Sequence, residues 1–146
     1  MSYHIIFNLL LVGSCAFALW AGPRDSRWIA VICLGATVAS RLFIRPTVAR
    51  YSGVEPGILI VDTATLAAFV GVALQSSRFW PMWIAGLQLT TLNAHLFKGL
   101  TGDLVPVVYA SAARAWSYPI LIILIVGTWR SYRRDRRDSQ VEAIPR

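Results

Sequence analysis

Long apolar runs alternate with short polar breaks along the chain, and the runs set the expected architecture. Five stretches are apolar for about the 17–25 residues that span hydrocarbon some 30 Å thick, at 5–20, 28–44, 57–74, 79–97 and 105–129. The breaks carry turn and stop residues: Gly22-Pro23-Arg24-Asp25-Ser26 after the first run, Arg45-Pro46 after the second, Glu55-Pro56 before the third. Pro81 falls in the first turn of the fourth run, where a missing amide costs little, and Pro119 kinks the fifth or marks where it resumes. The apolar residues are continuous and do not alternate with period two, which argues against a transmembrane barrel. Only helices satisfy a lone backbone in lipid, so the expected fold is all-α, an integral membrane bundle of about five helices. The polar stretch 131–146 reads as a basic, disordered cytoplasmic tail.

Composition agrees with this pattern. The 146 residues are 56% hydrophobic and 14% charged, against about 25% charged in a typical soluble domain. The net charge of +7 does not point to nucleic acid, because the cations flank apolar segments and are not spread over a polar face. Six of the fourteen basic residues lie from Arg130 onward, so the positive-inside rule puts the C-terminus in the cytoplasm and, after five crossings, the N-terminus outside. Trp20, Trp28, Trp80, Trp83 and Trp129 then sort to the inner ends, and Tyr3, Tyr51 and Tyr109 to the outer ends. Arg45, Arg50 and Lys98 fall outside and depart from the rule.

Cys15 and Cys33 both lie within apolar runs and behave as small hydrophobes, so no disulfide framework is expected. Leu11-Val12-Gly13-Ser14-Cys15 loosely matches a lipoprotein cleavage box. The segment before it has no Lys or Arg, however, and the residues after Cys15 stay apolar, so the first run is read as a span.

Ionisable groups inside such spans cost about 2.5–3.5 kcal/mol each, which makes them the candidates for chemistry. They are Arg41, Asp62, His95 and Arg114, accompanied by Asn8, Thr65, Gln88, Thr91, Asn93 and Ser117. At about 1.5 Å per residue, Asn8, Arg41, Asp62, Asn93 and His95 all come within roughly 10 Å of the outer surface, with Arg114 somewhat deeper. Gln88, Thr91, His95 and Lys98 recur at steps of three and four and share one helix face, and Asp62 and Thr65 are one turn apart. The short break at Ser76-Ser77-Arg78 makes the third and fourth helices antiparallel neighbours, with Asp62 expected at the level of Asn93 and His95 and paired with Arg41 or Arg114. Such a cluster reads either as a small outward-facing polar pocket or as hydrogen-bonding glue between helices. Gly35, Ala36, Ala39 and Ser40 supply the small residues that close helix packing needs.

Specific cofactor and catalytic patterns are missing. A bis-histidine haem would need His4 and His95 to face each other across the bundle, and His4 stands at the terminus. No metal-ligand spacing, GxSxG, HExxH or phosphate-binding glycine loop occurs, so neither metal nor cofactor is expected. The arginine-rich end is read first as a topology anchor, with anionic lipid as a possible contact.

The run Ser77-Arg78-Phe79-Trp80-Pro81-Met82-Trp83-Ile84-Ala85-Gly86-Leu87-Gln88-Leu89 through His95, with Trp116-Ser117-Tyr118-Pro119, resembles small uncharacterised multi-pass proteins of Gram-negative bacteria. It covers about a third of the chain. The likeness implies a bacterial inner membrane and carries no activity with it.

Three functions fit. The first is a structural or accessory bundle, either homo-oligomeric or a subunit of a larger membrane assembly. The second is a carrier, channel or sensor for a proton or small polar ligand using Asp62 and His95 with Arg41 or Arg114, since histidine titrates near neutrality. The third is a membrane enzyme acting on lipid or quinone, for which Asp62 and His95 are the one available acid–base pair.

Overall fold

The computed structural model describes residues 2–43, 56–101 and 117–142, with side chains placed over 5–42, 57–94 and 117–140. Among the described residues the chain is all-α, with five helices and no strand: α1 Ser2–Ala21, α2 Arg24–Phe43, α3 Pro56–Gln75, α4 Trp80–Thr101 and α5 Ser117–Glu142. Four of the five predicted runs match a helix to within a few residues. Of the fifth, 105–116 lies outside the described residues, together with the break at Arg45-Pro46 and Tyr51.

Only Gly22 and Pro23 separate α1 from α2. The Gly22 amide donates to the Ala18 carbonyl at 3.0 Å, and the Arg27 Nε donates to the Gly22 carbonyl at 3.0 Å, so a cation closes the carbonyl end of α1. Any Cβ at Gly22 would run into the Ala18 carbonyl oxygen and approach the Ser26 Cβ at 2.7 Å. Glycine is the residue that fits there. Pro56 opens α3 and Pro81 lies in the first turn of α4, both where the helix has no use for a proline amide.

Consecutive helices run antiparallel and form a ring. α1 packs on α2 and α5, α2 on α3, α3 on α4, and α4 on α5, while α2 also reaches α5. α1 and α5 run parallel, with Phe7 edge-on to Tyr118 at 5.7 Å between ring centroids. Leu11, Cys15, Ala18, Ile29, Ala30, Phe69, Ile84, Leu121 and Leu124 fill the centre. Both cysteines are buried free thiols, and Cys15 Sγ donates to the Ala30 carbonyl at 3.7 Å, across from α1 to α2.

Polar side chains share the interior with the apolar core, and large apolar side chains are exposed on all five helices. Ser14, Ser26, Thr65, Gln88, Thr91, Thr128 and Ser131 are buried. Meanwhile Ile5, Leu9, Val12, Val31, Val38, Ile60, Val70, Leu74, Met82, Leu89, Ile122 and Val126 point outward from all five helices. Several hydroxyls turn back on their own helix, Thr65 to the Val61 carbonyl at 2.7 Å and Thr37 to Cys33 at 2.8 Å, and so need no partner from outside. Among the described residues, one helix, over Gly57–Gln75, is by itself long and apolar enough to cross a bilayer, and Ile5–Ala21 is a shorter apolar helix.

One expectation is corrected. The stretch beginning at Ser131, expected to be disordered, continues α5 as helix to Glu142. The preceding apolar turns have already met the cost of nucleation, and arginine propagates a helix well. Stacking at i,i+4 adds to this, with the Arg133 guanidinium 5.0 Å from the Trp129 ring centroid and Arg136 4.9 Å from Tyr132.

Candidate functional site

Two polar pairs link neighbouring helices within the apolar part of the bundle. On α3 and α4, Gln88 Nε2 donates to Asp62 Oδ1 at 3.2 Å and lies 3.5 Å from the Asp62 carbonyl. Gln88 is buried, and so are Thr91 one turn on and Thr65 one turn beyond Asp62. Of the predicted polar stripe on α4, Gln88 therefore faces α3, and an amide against a carboxylate joins the two helices. On α1 and α2, Arg41 Nη2 donates to Asn8 Oδ1 at 2.7 Å. This pair heads an open groove of about 380 Å³ lined by Leu11, Val12, Leu34, Thr37 and Val38.

Of the expected cluster, Asp62 is joined to Gln88 and Arg41 to Asn8. Arg41 turns to Asn8 and not to Asp62, because it lies at the far end of α2 on the α1 side, while Asp62 looks into the α3–α4 seam. Asn8 and Asp62 stand at a similar level. Counted at about 1.5 Å per residue from the connected end of the bundle, Asn8 and Asp62 both lie roughly 20 Å away, Arg41 about 25 Å and Gln88 about 12 Å. Asn93 is exposed on α4 and does not share the Gln88–Thr91 face. His95 belongs to α4, but its side chain falls outside the described residues, as does that of His4; Arg114 lies wholly outside them. Among the described residues no group of three His, Cys, Asp or Glu side chains could hold a metal ion.

Sequence reasoning missed a second network, at the end where α1 meets α2 and α3 meets α4. Ser76 Oγ donates to Asp25 Oδ2 at 2.7 Å, stitching one connection to the other. The Arg78 amide donates to Ser76 Oγ at 3.1 Å, and Arg78 Nη2 holds Asp135 of α5 at 2.9 Å. The Trp80 indole lies flat over Gly127, so close that a Cβ there would stand 2.5 Å from Trp80 Cδ2. Ser26 Oγ, Arg78 Nη1, Trp80 Nε1 and Thr128 Oγ1 are buried without a hydrogen-bond partner among the described residues. The signal was in the sequence: Asp25 and Asp135 are acids set among arginines, each able to tie a connection to another helix.

The chain matches no family model, no curated protein and no solved structure.

Proposed function

We propose that this chain is a small multi-pass protein of the bacterial inner membrane with a structural or accessory role. In this reading all five helices cross the bilayer, with the N-terminus outside and the C-terminus in the cytoplasm. The observation that carries it is the exposure of large apolar side chains on all five helices. Large apolar side chains point outward from every helix while serines, threonines and a glutamine are buried. Water-soluble monomers rarely expose contiguous apolar patches beyond a few hundred Å², and here large apolar side chains are exposed on each of the five described helices. Trp20, Trp28, Phe79, Trp83 and Trp129 are all exposed near the connected end, as expected of an aromatic belt at a bilayer interface.

The polar pairs support the accessory role. Asp62 with Gln88 and Arg41 with Asn8 each join two helices, which is how hydrogen bonds hold membrane helices where no hydrophobic force drives them together. The partner would be a second copy or another membrane subunit meeting the apolar exterior. Two measurements test this. Reporter fusions at the two termini should report opposite sides of the membrane; the same side for both would overturn the topology. Extraction in mild detergent and sizing should give a homo-oligomer or a complex, and a strictly solitary monomer would overturn the role.

A second reading is favoured by the buried Gln88–Thr91 face against Asp62, which sets polar groups inside the bundle. As a proton or small-ligand carrier, the protein in proteoliposomes should show a pH-dependent flux. If Asp62→Asn and His95→Ala leave that flux unchanged, the carrier reading is wrong.

A further inference from the structure

Past Trp129 the two faces of α5 change chemistry without changing direction. Ile122, Val126 and Trp129 are exposed, and steps of three and four carry that stripe onward to Arg133, Arg136 and Arg137, with Arg130 beside it. The opposite stripe is buried at Leu124, Thr128 and Ser131, and the same steps carry it to Asp135 and Asp138. The side that faces out of the bundle becomes cationic, and the opposite side carries Asp135 and Asp138 with Arg134 at its edge. The Arg78–Asp135 contact fixes this orientation, because it binds the Asp135 side to the α3–α4 connection. Trp129 and Tyr132 stack under Arg133 and Arg136 and hold two of the guanidinium groups against the helix.

We propose that the helical arm over residues 130–137 is a docking surface for the headgroups of anionic phospholipids, which it gathers around α5. The proposal rests on the membrane reading above, because it takes the outward stripe of α5 to be the one that meets lipid. The arginines rise over about 10 Å from Arg130 to Arg137, against a headgroup layer of about 5–7 Å on each side of the hydrocarbon. The first of them therefore sit among the phosphates and the last remain within a Debye length of the surface. Lipid is favoured over nucleic acid because the cations continue the lipid-facing azimuth and start at an interfacial tryptophan.

The test uses the full chain reconstituted in phosphatidylcholine bilayers containing trace spin-labelled phosphatidylglycerol or spin-labelled phosphatidylcholine. Electron spin resonance then measures the motionally restricted fraction of each lipid. The expected result at low salt is a preference for phosphatidylglycerol of roughly three- to ten-fold, the size a few surface cations produce. It should approach one in about 1 M salt, where the Debye length is near 3 Å. The combined variant Arg133→Gln, Arg136→Gln, Arg137→Gln should lose most of it, and Asp138→Asn with Ser139→Ala, on the other face, should keep it. Equal restriction of the two lipids, or a preference that survives the triple substitution, would overturn the proposal while leaving the membrane reading intact. A preference abolished by stoichiometric polyuridylate would give the surface to nucleic acid and overturn it too. No restricted component of either lipid would overturn the membrane reading and this inference with it.

Discussion

Gly127 is the position where one methyl group gives the sharpest check on how α4 meets α5. A Cβ built there stands 2.5, 2.8 and 2.9 Å from Trp80 Cδ2, Cε3 and Cε2. Carbon atoms pack comfortably at about 3.5–4.0 Å, so Gly127→Ala obliges the indole or the helix to retreat by roughly 1 Å. Overpacking of this kind costs about 1–3 kcal/mol. Against it stands the helix preference of alanine over glycine, about 1 kcal/mol. The net change expected is a loss of about 0–2 kcal/mol. Gly86 supplies the reference, since a Cβ there meets nothing within 4 Å. Gly86→Ala keeps the propensity gain alone, so the two variants should differ by about 1–3 kcal/mol. Reversible denaturation by SDS in mixed micelles, followed by far-ultraviolet circular dichroism, measures both. In a Trp80→Leu background, where the indole is gone, Gly127→Ala should become as benign as Gly86→Ala. Equal effects of the two substitutions in the parent protein would refute the α4–α5 packing described here.

Three other outcomes follow from the same geometry and use the same assay. A double-mutant cycle with Asp62→Leu and Gln88→Leu should give a coupling of about 0.6–1.7 kcal/mol, the range of hydrogen bonds between membrane helices, and a coupling of zero would detach the pair. Asp135→Asn should cost no more than about 1 kcal/mol, with the loss shrinking at high salt, because the Asp135 side chain is 51% exposed in its pair with Arg78. Thr128→Val keeps the shape and removes a buried hydroxyl without a partner, so it should stabilise by about 1 kcal/mol, and a clear destabilisation would mean the hydroxyl is bonded.

Much of the helical layout was legible in the sequence because its signals are local. Run length, Gly22-Pro23 and the prolines Pro56 and Pro81 mark where helices begin and end, and each acts within a turn of itself. The stripe through Gln88 and Thr91 was legible for the same reason. Periodicity says which residues share a face, but not which helix that face will meet. Arg41 or Arg114 was accordingly expected beside Asp62; Arg41 stands beside Asn8, and Arg114 lies outside the described residues. The network at the connected end was harder still, since Asp25 with Ser76 and Arg78 with Asp135 join residues far apart in the chain through side chains that look like ordinary loop polarity. The helical arm past Ser131 was misread because arginine-rich composition resembles disorder. Composition alone ignores that a helix already formed extends at little cost.

The connection through Gly22 and Pro23 also bears on how the protein reaches its final place. Two residues cannot let α1 complete a crossing while α2 waits in water. In the membrane reading the pair must enter as one preassembled hairpin, with Arg24, Asp25 and Arg27 riding at its tip. Lengthening that tip with a flexible insert would uncouple the two events, and biogenesis, more than final stability, is where the damage would be felt.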